Sequence, residues 1–205
     1  MKHFSFINYL FRGGGKKLLF LLSVLLYSSM ASAEVVDGIN YLLNASSKTA
    51  TVVKLDNGKY SGDIVIPQKI TASDGVEYIV TILGKNSFNG CTNLTSVSLP
   101  ESITSLANAC FYGCSSLTEI EIPESVSALY SQCFAECTSL ASIKLPKSIN
   151  SIGTSCFKGC TSLTNIEIPQ GVKNISYMCF AECSSLEKIS IPNTVTSLEA
   201  ECFYV

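Results

Sequence analysis

The stretch SLTEIEIPESVSALYSQCFAEC, from Ser116 to Cys137, is one unit of a repeat that occupies most of this chain. A period of 23 residues is visible in two columns, formed by Pro100, Pro123, Pro146, Pro169 and Pro192 and by Phe88, Phe111, Phe134, Phe157, Phe180 and Phe203. A period held this strictly is typical of a solenoid, in which similar units stack and each unit contacts only its neighbours. The sequence therefore predicts a repeat architecture rather than a single compact globule.

A short strand is predicted in the first half of each unit. Leu117, Ile120 and Ile122 have the L-x-x-L-x-L spacing of a leucine-rich-repeat strand, and the residues from Ile120 to Ile122 alternate between apolar and polar. Pro123 has no N–H group and ends the strand. Because one unit cannot bury its apolar side alone, we expect the units to stack at the strand spacing of about 4.8 Å.

The whole pattern, S-L-T-x-I-x-I-P-x-S-V-x-x-L-x-x-x-x-F-x-x-C, resembles the BspA-like class of leucine-rich repeats found in bacterial surface and secreted proteins. The resemblance covers roughly residues 80–205, in five to six units. It implies a β-rich solenoid of the leucine-rich-repeat type and an adhesion-type role. One feature departs from the family pattern: the position before the phenylalanine, usually Ala, is Cys in five units and Ser87 in the first.

The segment before the repeats, residues 34–79, is predicted to form a small β cap. Four short strands are expected within DGINYLL (37–43), KTATVVKL (48–55), YSGDIVIP (60–67) and DGVEYIVTIL (74–83). Asp56-Asn57-Gly58 and Asp74-Gly75 have the composition of hairpin turns. The segment also resembles the usual opening of BspA-like proteins, and its physical role would be to cover the apolar side of the first unit.

The first 33 residues have the organisation of a secretory signal peptide. Four basic residues fall within the first 17, an apolar stretch follows from Leu18 to Met30, and Ala31-Ser32-Ala33 is a small-residue cleavage site. Cleavage is expected before Glu34. This predicts a protein exported by a bacterium to the periplasm, the cell surface or the medium, with no membrane insertion after the leader is removed.

Charge and motifs exclude several classes of function. All 16 acidic residues but only ten of the 14 basic residues follow residue 33, so the mature chain has a net charge of about −6. A nucleic acid and an anionic membrane are therefore poor partners. The sequence has no nucleophile elbow, no phosphate-binding loop and no cluster around a histidine, so it predicts a non-enzymatic protein without a cofactor.

The ten cysteines fall into two further columns of the repeat. They are Cys110, Cys133, Cys156, Cys179 and Cys202 in the first column, and Cys91, Cys114, Cys137, Cys160 and Cys183 in the second. An even number of cysteines in an exported chain favours disulfides, and Cys133 and Cys137 could pair within a unit if that stretch were helical. Cysteines stacked in one column, however, point the same way and cannot readily pair.

Buried free thiols are the preferred interpretation of these columns. Free cysteine packs as a small apolar residue and is among the most buried residue types. The C-x₃-C spacing differs from the C-x₂-C spacing that is usual for zinc sites and redox dithiols, so no metal site is predicted. A thiol or metal-binding function remains the alternative hypothesis, and some disulfide pairing stays open.

The outward side chains of the predicted strands are the candidate binding surface. They are Ser96, Ser98, Glu119, Glu121, Ser142, Lys144, Asn165, Glu167, Lys188 and Ser190. Such faces are the usual binding surfaces of solenoids, and we expect a protein or glycan partner on a host or neighbouring cell. The competing interpretation is a solvated polar face. A catalytic role for Glu119 and Glu121 is disfavoured, because nothing near them in the sequence would shift a carboxyl pKa.

Two further expectations concern the chain's aromatic residues and its end. Tyr112, Tyr130, Tyr177 and Tyr204 fall outside the inward columns and form a second candidate contact surface. The sequence stops at Val205, inside the last cysteine–phenylalanine phrase, so the last unit is incomplete. An open apolar end favours end-to-end self-association, and a truncated repeat protein without an independent role is a further alternative.

Overall fold

The computed structural model describes residues 32–205. The predicted signal peptide lies outside these residues, except for Ser32 and Ala33, which begin the first strand. The described part consists of strands and turns without a helix, so it holds no helix that could span a membrane. The strands are β1 (Ser32–Val36), β2 (Ile39–Asn44), β3 (Thr49–Val53), β4 (Gly62–Val65), β5 (Lys69–Thr71), β6 (Glu77–Leu83), β7 (Leu94–Ser98), β8 (Ser105–Leu106), β9 (Ala128–Leu129), β10 (Ser151–Ile152), β11 (Asn165–Glu167), β12 (Asn174–Ile175), β13 (Lys188–Ser190) and β14 (Ser197–Leu198).

The N-terminal segment contains the four predicted strands, now β2, β3, β4 and β6, and two more. Strands β1, β2 and β3 form an antiparallel meander, while β5 and β6 form a hairpin. The turn at Asp74-Gly75 closes that hairpin, and the Asp74 carboxylate accepts a hydrogen bond of 2.8 Å from the Val76 N–H. Strand β6 pairs with both β3 and β8. The boundary predicted between residues 79 and 80 therefore falls inside one continuous strand.

The hairpin predicted at Asp56-Asn57-Gly58 is wrong. Strand β4 does not pair back with β3; it pairs in parallel with β7, the first strand of the repeats, where Ile64 lies opposite Val97. The turn composition predicted the change of direction but not the partner of the next strand. A hairpin turn between β1 and β2 lies at Asp37-Gly38, where both residues have a left-handed φ, of 48° and 79°.

The repeats form two parallel ladders instead of the single ladder that the sequence predicts. The first ladder consists of the pair β11 and β13, with isolated bridges joining Glu121 to Lys144 and Ser142 to Asn165. Strand β7, at the same position of the first unit, pairs with β4 of the cap. In the Ser116–Cys137 unit, the predicted strand is thus reduced to a single bridge. A second set of short parallel strands was not predicted: β8, β9 and β10 continue the sheet of the cap, and β12 and β14 pair separately further along the solenoid. We call these five strands the second ladder.

Stacked turns around the cysteine–phenylalanine phrase close each unit. The residue two positions before the phenylalanine is left-handed in every unit: Asn86, Ala109, Gln132, Ser155, Met178 and Glu201 have φ between 52° and 60°. Backbone hydrogen bonds join equivalent turns, as from Phe111 N–H to the Cys133 carbonyl and from Phe134 N–H to the Cys156 carbonyl, both at 2.9 Å. The turns therefore add a third line of backbone contacts along the solenoid.

The core is a continuous stack of equivalent side chains. The six phenylalanine rings lie 5.1–5.7 Å apart between centroids, and neighbouring planes differ by 2–8°. Tyr60, from the cap, continues the stack with a centroid 4.9 Å from that of Phe88. An aromatic ring of the N-terminal segment thus packs on the first phenylalanine of the repeats.

Candidate functional site

The cysteine columns lie in the core. All ten thiols are free and buried, which agrees with the packing interpretation of these columns. In the second column, the thiols of Cys114, Cys137, Cys160 and Cys183 donate hydrogen bonds of 3.1–3.2 Å to the phenylalanine carbonyls of the preceding unit. The thiols thus bind one turn to the next.

Burial also keeps these thiols protonated. It raises the pKa of the Cys110 and Cys156 thiols to about 12 and that of the Cys183 thiol to about 11. Thiolates are the reactive and metal-binding form of cysteine. Between residues 32 and 205, no three His, Cys, Asp or Glu side chains are grouped in a way that could hold a metal ion. The cysteine columns therefore have the environment of structural thiols.

The predicted outward side chains do share one surface. Nine of the ten are exposed, and Ser96 is half-buried. We call this surface the strand face and number its rungs by their outward pairs: rung 1 is Ser96 and Ser98, rung 2 is Glu119 and Glu121, rung 3 is Ser142 and Lys144, rung 4 is Asn165 and Glu167, and rung 5 is Lys188 and Ser190. The bridges and strand pairs of the first ladder set the register of rungs 2 to 5, and the 23-residue period places rung 1 beside rung 2.

The strand face extends into the cap. Asp63 lies opposite Ser96, and Val65 lies opposite Ser98. The Asp63 carboxylate accepts hydrogen bonds from the hydroxyls of Ser96, at 2.7 Å, and Thr95, at 2.8 Å. These two hydrogen bonds lower the pKa of Asp63, so this carboxylate remains charged on the surface.

A second set of residues on the strand face was missed by the sequence analysis. Each follows the proline of its unit and is exposed; they are Glu101, Glu124, Lys147, Gln170 and Asn193. The 23-residue spacing of the prolines shows these residues as a column, but the sequence alone does not place that column on the strand face. We include them in rungs 1 to 5, in that order.

Shallow depressions run between the rungs. One, of about 200 Å³, is bordered by Glu101, Glu121, Glu124 and Lys144. A larger one, of about 800 Å³, lies between rungs 3 and 4 and contains Lys144, Lys147, Glu167 and Gln170 at its border, with Leu145, Ile168 and Pro169 also lining it. Both are open to solvent, unlike the enclosed pockets that bind small molecules.

Nothing holds Glu119 and Glu121 in a catalytic arrangement. Both side chains are exposed, and neither carboxylate makes a hydrogen bond or an ion pair within the described chain. The two ion pairs among residues 32–205 lie elsewhere, between Lys69 and Glu77 and between Lys158 and Glu182. The carboxylates of rung 2 are therefore available to a partner.

The four tyrosines outside the inward columns differ in exposure and in their place in the repeat. Tyr130, Tyr177 and Tyr204 are exposed, whereas Tyr112 is half-buried. Tyr130 follows β9 and Tyr177 follows β12, at the end of the second ladder, while Tyr204 lies in the last stacked turn. The strand face therefore has the larger set of aligned polar groups.

Comparison with known proteins identifies the repeat. Residues 80–205 match the sequence profile of the BspA type leucine rich repeat region, in six copies. The chain belongs to this family. The BspA-type repeats provide a scaffold for interaction rather than a catalytic fold. The comparison with curated proteins finds no match.

Solved structures of bacterial leucine-rich repeat proteins share the fold. A leucine-rich repeat protein from Bacteroides ovatus is 30% identical with a TM-score of 0.72, and the match covers 83% of this chain and 50% of that protein. A leucine rich cell surface protein from Faecalibacterium prausnitzii is 29% identical with a TM-score of 0.72, and the match covers 86% of this chain and 47% of that protein. A Treponema pallidum leucine-rich repeat protein is 24% identical with a TM-score of 0.67, and the match covers 82% of this chain and 86% of that protein. The chain thus spans about half the length of the first two.

Proposed function

We propose that this BspA-type protein is an exported, non-catalytic binding module whose strand face holds a protein or glycan of a host or neighbouring cell. The observation that carries the proposal is the strand face itself. Exposed and unpaired charged groups line up over successive rungs and border open depressions. Polar groups without partners on the free protein can form their hydrogen bonds and ion pairs with a ligand instead.

Two observations support an exported location for this module. The sequence of residues 1–33 has the organisation of a signal peptide. The similar protein from Faecalibacterium prausnitzii is described as a cell surface protein. A protein outside the cell has access to the surfaces of other cells, which is where an adhesion-type partner would be found.

The alternative function, in which the cysteine columns bind metal or exchange thiols, has weaker support. Reactive cysteines need a partly exposed, electropositive environment that favours the thiolate. The thiols of this protein are buried and their pKa values are raised by burial. The strand face, in contrast, is open to solvent over all five rungs.

The test compares two variants for binding to a glycan array and to purified host and bacterial surface proteins. The face variant replaces Glu119, Glu121, Lys144 and Glu167 by Ala. The control replaces the exposed Asn150 and Lys173, which lie beside the second ladder, by Ala. We expect the face variant to lose about tenfold or more of the affinity for any ligand of the wild type, and the control to retain it. Equal binding by the wild type and the face variant would contradict the proposal.

A further inference from the structure

The charges of the strand face are arranged by rung. Rung 2 carries three carboxylates, from Glu119, Glu121 and Glu124, and no lysine. Rung 3 carries Lys144 and Lys147 and no carboxylate. The bridge between Glu121 and Lys144 shows that these two rungs are direct neighbours. A row with a charge of −3 therefore lies beside a row with a charge of +2.

Neither row is neutralised within the described chain. The ion pairs found among residues 32–205 involve neither Lys144 nor Lys147, and neither involves a carboxylate of rung 2. The outer rungs carry fewer charges: Glu101 on rung 1, Glu167 on rung 4 and Lys188 on rung 5, with Asp63 of the cap beyond rung 1. A surface that pairs with this pattern must present a positive row beside a negative row at the same spacing.

The strand face of a second copy presents that pattern. We propose that two copies of this chain associate through their strand faces about a two-fold axis that lies in the interface, parallel to the rungs and between rungs 2 and 3. Such a rotation keeps the position along each rung and reverses the order of the rungs. Rung 2 of each copy then lies on rung 3 of the other, as in a self-complementary, isologous interface. The inference rests on the proposed function only in taking the strand face as the binding surface.

The pairs made by this rotation are complementary at the centre. Glu121 meets Lys144 of the second copy, and Glu124 meets Lys147 of the second copy, each pair occurring twice. Rows of opposite charge that face each other steer association and fix the register of an interface. Because the carboxylates and ammonium groups have no competing ion pairs on the free surface, little has to be broken when the two faces meet.

The outer rungs fit the same axis. Asp63 falls opposite Lys188 of the second copy, which again pairs opposite charges. Ser98 falls opposite Glu167 and Glu101 falls opposite Gln170, so a hydrogen-bond donor meets each of these carboxylates. No like charges are placed opposite each other among these positions.

Other positions of the axis fit less well. An axis between rungs 1 and 2 places Glu101 on Glu124, and an axis on rung 2 places its carboxylates on each other, so both juxtapose like charges. An axis between rungs 3 and 4 pairs Lys144 with Glu167 but leaves Glu121 and Glu124 opposite Ser190 and Asn193. The axis between rungs 2 and 3 thus pairs the most charges.

The experiment measures the mass of the purified protein by sedimentation equilibrium. It compares the wild type with variants in which the charges of one row are reversed. We expect wild-type dimers at about 0.05 M salt, with a dissociation constant that rises at least tenfold at about 1 M salt, where charges are screened within a few ångströms. The variant Lys144→Glu/Lys147→Glu has two negative rows, and the variant Glu121→Lys/Glu124→Lys has two positive rows. Each variant alone should be monomeric.

Mixing the two variants gives the decisive result. Each negative row then meets a positive row, so a heterodimer should form although neither variant associates with itself. Lys173→Glu, which changes a lysine outside the strand face, should dimerise as the wild type does, and circular dichroism should show all variants folded. A wild type that stays monomeric, a mixture that stays monomeric, or self-association that the swaps leave unchanged would overturn the inference.

The result also separates this inference from the proposed function. If the proteins are monomeric but the face variant loses its affinity for a glycan or a surface protein, the binding module stands and the self-association is wrong. If the heterodimer forms and no other ligand depends on the strand face, the second copy is the partner of this surface and the adhesion-type role is wrong.

Discussion

At the scale of single residues, the cysteines illustrate how one repeated side chain can serve packing and hydrogen bonding together. A thiol is small and apolar enough for the dry interior, and its S–H group can still donate to a carbonyl. In the second column, Cys137 donates to the Phe111 carbonyl and Cys160 to the Phe134 carbonyl. Alanine at these positions would fill less of the core and form no such bond.

The raised thiol pKa values predict that this protein loses stability in alkali. The folded pKa is about 12 for Cys110 and Cys156 and about 11 for Cys183, above the ordinary value of 9.0. The unfolded chain therefore releases these protons first, so the contribution of these thiols to the free energy of unfolding is constant below about pH 9 and falls as pH rises, by up to about 1.4 kcal/mol per pH unit and thiol.

Urea unfolding at a series of pH values from 7 to about 10.5 measures this slope. The variant Cys133→Ala/Cys156→Ala should have a shallower slope, because it has two fewer thiols to ionise. Tyr41 and Tyr60, whose pKa values burial also raises, add to the slope above about pH 10. A stability that is flat between pH 8 and 10.5 would show that the thiols are not buried as described.

The left-handed turn residues predict where a substitution by glycine would stabilise the protein. Four positions after the first left-handed residue of each unit, the chain is left-handed again, at Gly90, Gly113, Glu136, Gly159 and Glu182. Replacing Glu136 by Gly should raise the free energy of unfolding by about 0.5–1 kcal/mol, because a residue with a Cβ is strained at its φ of 60°. Thermal and urea unfolding measure the change.

The reverse substitution, Gly113→Ala, is the matched control. A Cβ at residue 113 would have its nearest neighbour 3.8 Å away, at the Gly90 Cα, so the new methyl group meets no clash. Its expected cost of about 1 kcal/mol therefore reports the backbone strain alone. A Glu136→Gly protein that is less stable than the wild type would contradict the strain argument.

At the scale of elements, Tyr60 joins the cap to the repeats. Its ring continues the phenylalanine stack, while its hydroxyl accepts a hydrogen bond of 3.0 Å from the buried Asn40 N–H and donates one of 2.8 Å to the Val53 carbonyl. One side chain thus packs on the first repeat and fixes strands β2 and β3 behind it. The sequence predicted a cap here, but it gave no sign that a tyrosine outside the repeats completes the stack.

Replacing Tyr60 by Phe separates these two roles. The ring and its stacking remain, but the buried Asn40 N–H loses its acceptor, which should lower the free energy of unfolding by about 1–3 kcal/mol. Hydrogen exchange should then be faster in β2 and β3 and unchanged in the central units. Tyr204→Phe, at an exposed ring, is the control and should have no effect. Uniformly faster exchange along the chain would contradict a role confined to the cap.

The sequence predicted elements well where one residue type decided the geometry, and poorly where pairing decided it. The period, the prolines and the inward phenylalanines specify the stack directly. In contrast, the strands of the second ladder, β8, β9, β10, β12 and β14, have two residues each and are too short for a period-two pattern to be visible. Likewise, nothing local to β4 shows that Ile64 pairs with Val97 in the repeats rather than with β3, because that choice depends on contacts distant in sequence.

At the scale of the whole molecule, identical units leave one surface free to vary. The inward positions of each unit must be Leu, Ile, Val, Phe or Cys, since each packs on its equivalent in the next unit. The outward positions have no such restriction, and here they carry the rows of carboxylates and lysines. The candidate surface could therefore be predicted from the alternation of each strand, whereas the post-proline residues that complete its charge pattern could not be assigned to it without the fold.

The central claim is that the repeats stack around a dry interior, which leaves the strand face as the surface for recognition. Titration of thiols with a disulfide reagent at about pH 8, in the folded protein and in denaturant, tests it most directly. We predict that the folded protein reacts slowly, with Cys202, which is 6% exposed, first, and that all ten thiols react once the chain unfolds. Fast reaction of several thiols in the folded protein, or fewer than ten after unfolding, would contradict the account.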